Sequence, residues 1–448
     1  MSEAIIRDPY SSLRHDGYRR YLVGNLLFNV GRQGLSVAIA WQIYKWTNSA
    51  TALGLVGLVS VLPLIAFVIP AGALADRVDR RRILMRTTAV SAVLSLALVL
   101  LSAYHSSLPY FAPLRMANEV LRQIAFLFER HVDPSQLHFD NPALPLIFLI
   151  LLLQAFFRVI GNPARAALVP LLVEPSAVSN AVTWSSSTFE LSTVIGPALG
   201  GFLVASLGYT AVYAIDAAFS LTLVFLLLGV RVHRIQPAVT GPAPDALAGL
   251  RFIWRHQSIL AAITLDLFAV LLGGAVALLP IYADKILHVG PAGLGWLRAA
   301  PAFGAITMAF LITHLRPARR PGIVMLWSVA GFGAAIVVFS LSTSIWLSLV
   351  ALYFSGVCDN FSVVVRHTLV QMKTPDSLRG RVSAVNQLFI GSSNEISELR
   401  AGLAAALFGP VFAAAAGGIG TIVVVALVAL ALPSLRAVPP LHTLQPEK

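Results

Sequence analysis

The sequence predicts an all-α integral membrane protein with twelve transmembrane helices in two six-helix bundles, and three observations lead to this prediction. The 448-residue chain is 57% hydrophobic and only 12% charged, whereas soluble domains are typically about 45–50% apolar and about 25% charged. The apolar residues fall into twelve long runs, and the Lys and Arg residues lie mainly between alternate runs. This composition excludes a soluble globular enzyme and a disordered chain, because both carry more charge.

Each of the twelve runs is close to the length that a membrane requires. A helix needs about 20 mostly apolar residues to cross a hydrocarbon core of roughly 30 Å. The predicted spans cover residues 21–44, 52–75, 87–104, 144–159, 181–207, 211–230, 259–283, 293–313, 323–341, 345–371, 384–408 and 411–432. Glycine and proline interrupt several of them, which membrane helices tolerate.

The basic residues between the spans predict which side each loop faces. About 22 of the 32 Lys and Arg residues lie in loops on the side of the termini, against about five on the other side. Loops on the cytoplasmic side carry this excess in membrane proteins. We therefore expect a multi-pass protein of the inner, cytoplasmic membrane with both termini in the cytoplasm. The net charge of +12 is then loop charge, and no nucleic-acid partner is expected.

The residues that usually mark an enzyme or a metal site are missing from the sequence. The single cysteine, Cys358, can form no internal disulfide, and no Cys or His residues have the spacing of metal ligands. The sequence also has neither a phosphate-binding P-loop nor an HExxH motif. We expect no catalytic residues, no metal and no cofactor, so the protein is predicted not to be an enzyme.

The chain divides into two halves around its longest connection on the side of the termini. Residues 1–230 form the first predicted bundle, residues 231–258 a cytoplasmic linker, and residues 259–448 the second bundle. The segments 165–169 and 366–370, which end spans four and ten, are similar in sequence. Such a repeat is typical of transporters in which two bundles rock against each other.

An insertion at residues 105–143 separates the third and fourth spans on the outer side. Residues 111–132 of this insertion mix apolar and charged residues with the period of an amphipathic helix. That segment is too charged to span a membrane, so we expect it to lie at the interface or to pack as a small cap.

The loop between spans two and three carries Gly-Ala-Leu-Ala-Asp-Arg-Val-Asp-Arg-Arg-Arg at positions 72–82. This segment resembles the cytoplasmic signature of the major facilitator superfamily, and it lies in the matching loop. Its basic residues suit an anionic leaflet, and Asp76 is expected to make a gating contact near residues 379–382. Simple retention of the loop in the cytoplasm is the alternative. The residues of this gating motif are Gly72, Asp76, Arg77, Asp79, Arg80 and Arg81.

The fifth span contains Gly-Pro-Ala-Leu-Gly-Gly, which resembles the exporter-associated motif of the same superfamily. Glycine and proline bend a membrane helix and allow close packing. The motif is therefore explained either by packing alone or by a bias towards export. Its residues are Gly196, Pro197, Gly200 and Gly201.

Further segments resemble one bacterial branch of the superfamily, the enterobactin-exporter-like permeases. They are residues 41–47, 265–274, 374–382 and 393–395. The resemblance covers nearly the whole chain, but it departs from the branch in two places. The outer insertion is longer than usual, and residues 396–400 differ from the expected Gly-Glu-Phe-like run.

Ionisable residues inside the spans are the candidates for the transport pathway, because burying each one costs at least about 2.5–3.5 kcal/mol. The resemblance implies that spans one, four, seven and ten line the central cavity. Arg32 is near the middle of span one and Asp266 is close to the middle of span seven, so the long guanidinium side chain is expected to reach Asp266. Glu395 and Glu398 share one face of span eleven, which suits a proton site. The predicted pathway residues are Arg32, Gln33, Asp266, Asp359, Glu395 and Glu398.

The other charged residues in the spans are expected to be structural. Glu190 and Asp216 are expected to be satisfied by neighbouring groups. Arg298 and Arg366 lie close enough to helix ends for their side chains to reach the interface.

Together these features favour a secondary active transporter that exports a small organic molecule in exchange for protons by alternating access. Its expected partners are that small-molecule substrate, protons and the lipid bilayer, and a monomer is expected. Two alternatives stay open: an uptake permease of the same fold, and a membrane sensor or scaffold that transports nothing.

Overall fold

The computed structural model describes residues 8–230, 248–314 and 320–440. Throughout these ranges the regular structure is helical, without a strand, and the twelve predicted spans lie on helices, with one interruption in the seventh. The α-helices are α1 (Asp16–Thr47), α2 (Ala50–Arg77), α3 (Arg80–Ala103), α4 (Ala112–Phe128), α5 (Ala143–Leu168), α6 (Val178–Leu207), α7 (Tyr209–Leu228), α8 (Ala248–Arg255), α9 (Gln257–Gly273), α10 (Leu279–Ile281), α11 (Gly290–Ile312), α12 (Pro321–Leu341), α13 (Ile345–Lys373), α14 (Asp376–Phe408), α15 (Pro410–Ala431) and α16 (Pro433–Arg436). The prediction of an all-α, twelve-span fold is confirmed.

Ten of the spanning segments are long and apolar enough to cross a membrane by length and composition alone. The other two, α1 and α14, carry more polar side chains. Asn29 and Arg32 on α1 and Glu395 on α14 face the space between the halves of the molecule. These two helices are less apolar than the rest because part of their surface faces the interior instead of lipid.

The two halves pack their helices in the same order. In the first half α1 contacts α6 and α7, while α3 contacts α5 and α7 and α2 contacts α5. In the second half α9 contacts α14 and α15, while α12 contacts α13 and α15 and α11 contacts α13. The halves meet along two seams, α2 with α14 and α6 with α11.

Successive spans alternate in direction, so the molecule has two faces. We call the face where α1 begins and α15 ends the terminal face, and the other the opposite face. The short connections at residues 78–79 and 374–375 lie on the terminal face, and the connection at 104–142, which contains the predicted insertion, lies on the opposite face. Part of the connection between the halves, residues 231–247, lies outside the described residues, and α8 follows it.

The seventh span is broken, whereas the sequence predicts one helix over residues 259–283. Helix α9 ends at Gly273, and short 3₁₀, α and π turns continue to Ile286. The guanidinium of Arg400 on α14 donates to the carbonyl oxygens of Leu271 (2.8 Å) and Leu272 (2.6 Å). It therefore satisfies carbonyl groups that the interrupted helix leaves free.

The insertion forms the predicted amphipathic helix, α4, and bridges the two halves on the opposite face. Glu129, directly after α4, is 7% exposed. It accepts hydrogen bonds from the Ser49 hydroxyl (2.7 Å) and the Thr51 amide (2.9 Å) at the start of α2. The next amide, of Arg130, donates to the carbonyl of Ala406 on α14 (2.9 Å). The insertion thus caps the seam between α2 and α14.

Candidate functional site

A cavity of about 520 Å³ lies between the two halves. Helices α1, α2, α3, α5 and α6 of the first half line it, together with α11, α14 and the broken part of span seven from the second half. Its walls combine apolar side chains with six charged ones. The charged residues in its lining are Arg32, Arg158, Arg165, Arg298, Glu395 and Glu398.

The halves are closely packed on the opposite face of the cavity. A Cβ atom on Gly402 would lie only 2.5 Å from the Cα of Gly54, which brings α14 against α2. A Cβ on Gly201 would lie 2.7 Å from the Cα of Gly295, which brings α6 against α11. Such contacts between backbones need glycine on both helices.

The lining extends from these closed seams towards the terminal face. It includes Asn29 in the first part of α1, Thr87 early in α3 and Asn162 late in α5, all of which are in the terminal-face halves of their helices. An ion pair of 3.1 Å between Lys45 and Asp284 joins the halves on the opposite face. Among the described residues, contacts between the halves therefore close the cavity towards the opposite face, and its lining continues towards the terminal face.

Arg158 on α5 and Glu395 on α14 form an ion pair across the cavity. The Nη2 atom of Arg158 lies 2.7 Å from the Oε1 atom of Glu395. The Glu395 side chain is 16% exposed and the Arg158 side chain is 46% exposed, both towards the cavity. This pair joins the first half to the second half near the middle of both helices.

A second polar contact between the halves lies next to this ion pair. Arg298 on α11 donates from Nη1 to the hydroxyl of Ser36 on α1 at 2.8 Å. Glu398, one turn along α14 from Glu395, interacts electrostatically with Arg298 and Arg158. Its side chain packs against α2 at Gly57, where a Cβ would lie 2.8 Å from the Cβ of Glu398. The predicted carboxylate pair therefore faces two arginines.

Arg32 also lines the cavity, but its carboxylate partner is Asp216 and not Asp266. Arg32 Nη1 lies 3.5 Å from Oδ2 of Asp216 on α7, and Nη2 donates to Gln154 on α5 at 3.1 Å. Asp216 is fully buried and accepts a hydrogen bond of 2.5 Å from Ser95. The expected contact of Arg32 with Asp266 is wrong, because Asp216 holds the guanidinium within the first half. Gln33, the next residue, lies in the cavity wall.

Asp266 does not line the cavity. It pairs with Arg366 on α13, whose Nη1 lies 3.0 Å away and also donates to Asn386 on α14 at 3.0 Å. Arg366 is 1% exposed, so the prediction that its side chain reaches the membrane interface is also wrong. Asp359 interacts electrostatically with Asp266 and Arg366 and is likewise absent from the cavity lining. Asp266, Arg366 and Asp359 lie on helices of the second half and form a charged cluster outside the cavity lining, and Glu190 on α6 of the first half also acts on Asp359.

The gating motif has local roles at the ends of two helices. The Asp79 carboxylate caps α3 by accepting from the amides of Arg81 (2.9 Å) and Arg82 (3.2 Å). Arg81 donates to the carbonyls of Leu227 (2.7 Å) and Leu228 (2.8 Å) at the end of α7. The motif therefore ties α3 to α7.

Among the described side chains, no remaining residue of the gating motif makes a hydrogen bond or an ion pair between the halves. A Cβ on Gly72 would meet nothing within 4 Å, and Arg77 is exposed while Arg80 is half-buried. The side chains of Asp76 and Arg379 lie outside the described residues. The gating contact of Asp76 thus stays a prediction.

The exporter-like motif packs α6 against two neighbours. A Cβ on Gly196 would lie 2.8 Å from the Val30 carbonyl, and one on Gly200 would lie 2.5 Å from the Cα of Gly34, both on α1. The carbonyl of Pro197 and the backbone of Gly201 face Gly295 on α11. The motif therefore packs α6 against α1 within its own half and against α11 at the seam with the other half.

Sequence reasoning missed two cavity arginines, Arg158 and Arg165. Arg158 lies within the predicted fourth span, so its position among apolar residues was a usable signal. Arg165 lies beyond the predicted fourth span, which ends at residue 159, but α5 continues to Leu168 and carries Arg165 into the cavity wall. Gln154, Arg158 and Arg165 follow one another at intervals of four and seven residues, which places them on one helix face.

The described residues contain no cluster of His, Cys, Asp and Glu side chains that could hold a metal ion. The polar groups of the cavity are mainly guanidinium, amide and hydroxyl groups, which suit an organic solute better than a metal ion.

Comparisons with known proteins agree with this architecture. A sequence model of the Major Facilitator Superfamily matches residues 21–398. The enterobactin exporter EntS of Shigella boydii is 26% identical over 423 residues, which cover 94% of this chain and 93% of the exporter. The enterobactin exporter EntS of Escherichia coli is similar to the same extent.

Solved structures show the same fold at lower sequence identity. A bacterial homologue of the human lysosomal transporter Spinster, in an inward-facing and unoccupied conformation, has a TM-score of 0.65 at 15% identity over 96% of this chain and 97% of that chain. A bacterial homologue of the iron transporter ferroportin, in an inward-facing state, has a TM-score of 0.63 at 16% identity over 95% of this chain and 99% of that chain.

Proposed function

The chain belongs to the major facilitator superfamily of membrane transporters, and we propose that it exports a small organic molecule across a bacterial inner membrane in exchange for protons. The two halves rock around the central cavity, which opens to one face at a time. The transporter works as a monomer, since one chain contains both halves and the complete cavity.

The terminal face is the cytoplasmic face in this proposal. The loops of that face carry most of the Lys and Arg residues of the chain, including the run from Arg80 to Arg82. Such an excess marks cytoplasmic loops. The cavity is then open to the cytoplasm, where an exporter takes up its substrate.

The ion pair between Arg158 and Glu395 is the observation that carries the proposal. It joins the halves beside the cavity at 2.7 Å, and Glu398 and Arg298 flank it. An empty transporter must break this pair before the halves can separate on the opposite face. Breaking it is unfavourable mainly for Glu395, because this carboxylate is only 16% exposed and would lose its positively charged partner.

Either of two ligands removes this obstacle. A substrate group that binds Arg158 replaces the carboxylate, and a proton on Glu395 removes the charge that the guanidinium binds. The loaded transporter can then change its conformation while the empty one cannot. A cycle that goes outward with substrate and returns with a proton uses the inward proton gradient to drive export.

The direction of transport is supported by the relatives that are named as exporters and cover almost the full length of this chain. Their sequence identity of 26% leaves room for a different substrate, so only the direction is carried over. The Gly-Pro-containing motif of α6 supports the same direction.

Transport by inverted membrane vesicles tests the proposal. Vesicles that contain the wild-type protein receive an acidic interior, and the accumulation of a panel of fluorescent dyes and drugs is measured. At least one compound is expected to accumulate, and a protonophore is expected to abolish the accumulation. The matched variants are Glu395→Gln, which removes the proposed proton site, and Glu119→Gln, which changes an exposed glutamate of α4.

Glu395→Gln is expected to lose accumulation driven by the gradient but to keep exchange of labelled for unlabelled compound. Glu119→Gln is expected to match the wild type. Full gradient-driven accumulation by Glu395→Gln would contradict the proton site. Accumulation by right-side-out vesicles alone would contradict export and indicate an uptake permease.

A further inference from the structure

We propose that the substrate is an organic anion with an apolar body, and that Arg165 on α5 binds its charged group first. This inference rests on the proposed function, since it names the class of molecule that enters the same cavity. It follows from the charges of the cavity lining and from the hydrogen-bonding groups that are left free there.

Positive charge exceeds negative charge in the cavity lining. Four arginines face two glutamates. Three of the arginines have a carboxylate neighbour. Two of these carboxylates are in the cavity lining, Glu395 next to Arg158 and Glu398 next to Arg298. The third is the buried Asp216, which pairs with Arg32 from outside the lining. The fourth, Arg165, has none among the described residues. The lining thus carries one uncompensated positive charge, which attracts anions into a space of low dielectric constant.

Arg165 is held in place by groups that leave its charge uncompensated. Its Nη1 atom donates a long hydrogen bond of 3.4 Å to the Asn29 side chain, and its guanidinium lies 4.5 Å from the centre of the Phe28 ring. The ring and the amide orient the guanidinium but neutralise no charge. A bound carboxylate, sulfonate or phenolate would supply the missing partner.

Several buried nitrogen atoms of these arginines have no hydrogen-bond acceptor. They are Nε of Arg165, Nε of Arg298 and Nη1 of Arg32, which has only the ion pair of 3.5 Å with Asp216. Buried donors without an acceptor are rare and costly in native proteins. The protein thus leaves hydrogen-bonding capacity unused on three guanidinium groups of the cavity wall.

The arrangement along α5 indicates how an anion would move through the cavity. Arg165 is close to the terminal face, and Arg158 lies two helical turns deeper, about 10.5 Å along the axis. Phe157 and Phe189 add apolar surface to the same cavity lining. An anion held first by Arg165 can pass to Arg158, where it displaces Glu395 and breaks the pair between the halves.

Two dyes with the same tricyclic ring system test the sign of the charge: fluorescein, an anion, and rhodamine 123, a cation. The purified protein is titrated into each dye in detergent, and fluorescence anisotropy reports binding, with empty micelles as the blank. Fluorescein is expected to bind at least about tenfold more tightly than rhodamine 123. Added salt is expected to weaken fluorescein binding.

Matched variants assign the site. Arg165→Gln is expected to weaken fluorescein binding about tenfold, and Arg165→Lys, which keeps the charge, is expected to weaken it less. Arg115→Gln changes an exposed arginine of α4 and is expected to bind like the wild type. Unchanged thermal unfolding of each variant shows that the fold is intact.

Equal or tighter binding of rhodamine 123, no binding of fluorescein, or an unchanged affinity in Arg165→Gln would each overturn the anion site. The result is separable from that of the vesicle experiment. Anion binding without gradient-driven accumulation would overturn proton-coupled export alone. Gradient-driven accumulation of rhodamine 123 in preference to fluorescein would overturn the anion class alone.

Discussion

Arg366 on α13 and Asp266 on α9 form an ion pair of 3.0 Å, and their side chains are only 2% and 7% exposed. Asn386 on α14 accepts a further hydrogen bond from the same guanidinium. Three helices of the second half are thereby joined at one point away from the cavity. The pair is therefore a structural element of its bundle, although the sequence favours Asp266 as a transport residue.

The first prediction is that this pair determines the stability of the second half. Removing one member leaves an uncompensated buried charge, which costs roughly 3–5 kcal/mol. Arg366→Met is expected to lower the thermal unfolding temperature strongly, and Asp266→Asn less, since an asparagine still accepts a hydrogen bond. The double variant is expected to recover much of the loss, because neither member of the pair is left without its partner. Thermal unfolding in detergent measures all three, and simple addition of the two single effects would contradict the coupling.

The difference between the predicted and observed partners of Asp266 shows that the sequence predicts the helices but not which charged residues pair between them. Apolar runs predict each spanning helix, because a membrane imposes their length. The amphipathic period of the insertion likewise predicts α4. Partners such as Arg32 and Asp216 are 184 positions apart in the chain. Which charges meet depends on the rotation of each packed helix, and hydropathy contains no information about that rotation.

The second prediction concerns the charge pair between the halves. In a background in which Cys358→Ser removes the native cysteine, N162C places a thiol in the cavity wall. Its alkylation rate reports how often the cavity is open to the terminal face. Arg158→Glu alone puts a third carboxylate beside Glu395 and Glu398, so it is expected to slow alkylation about tenfold by favouring the other conformation.

Adding Glu395→Arg to Arg158→Glu restores an ion pair between the halves with the two charges exchanged. The charge-swapped variant is therefore expected to regain at least half of the wild-type alkylation rate. The matched control is Arg122→Glu on the exposed face of α4, which is expected to leave the rate unchanged. An alkylation rate in Arg158→Glu equal to that of the wild type would show that the pair does not hold this conformation.

The third prediction concerns the seam between α2 and α14. A Cβ on Gly402 would lie 2.5 Å from both the Cα and the N atom of Gly54. Gly402→Val therefore forces the two helices apart on the opposite face. The variant is expected to favour the conformation that is open on that face, with N162C alkylation about tenfold slower and transport lost.

Gly17→Val is the matched control for this substitution. The nearest atom to a Cβ on Gly17 is a side-chain carbon of Val230 at 3.6 Å, an ordinary van der Waals distance. It is expected to keep the wild-type alkylation rate. If Gly402→Val alkylates as fast as Gly17→Val, the seam does not limit the opening of the opposite face.

The fourth prediction concerns the insertion, in which Glu129 binds the start of α2. Its carboxylate accepts hydrogen bonds from the Ser49 hydroxyl and the Thr51 amide, and it lies at the positive end of the α2 dipole. Glu129→Ala leaves these buried donors without a partner, which costs about 1–3 kcal/mol. Thermal unfolding in detergent is expected to show a clear loss of stability.

Two variants serve as controls for this prediction. Glu129→Gln keeps one acceptor oxygen and is expected to lose less stability than Glu129→Ala. Glu119→Ala, on the exposed face of α4, is expected to change stability by less than about 0.5 kcal/mol. If Glu129→Ala unfolds at the temperature of Glu119→Ala, the insertion does not stabilise the seam that it covers.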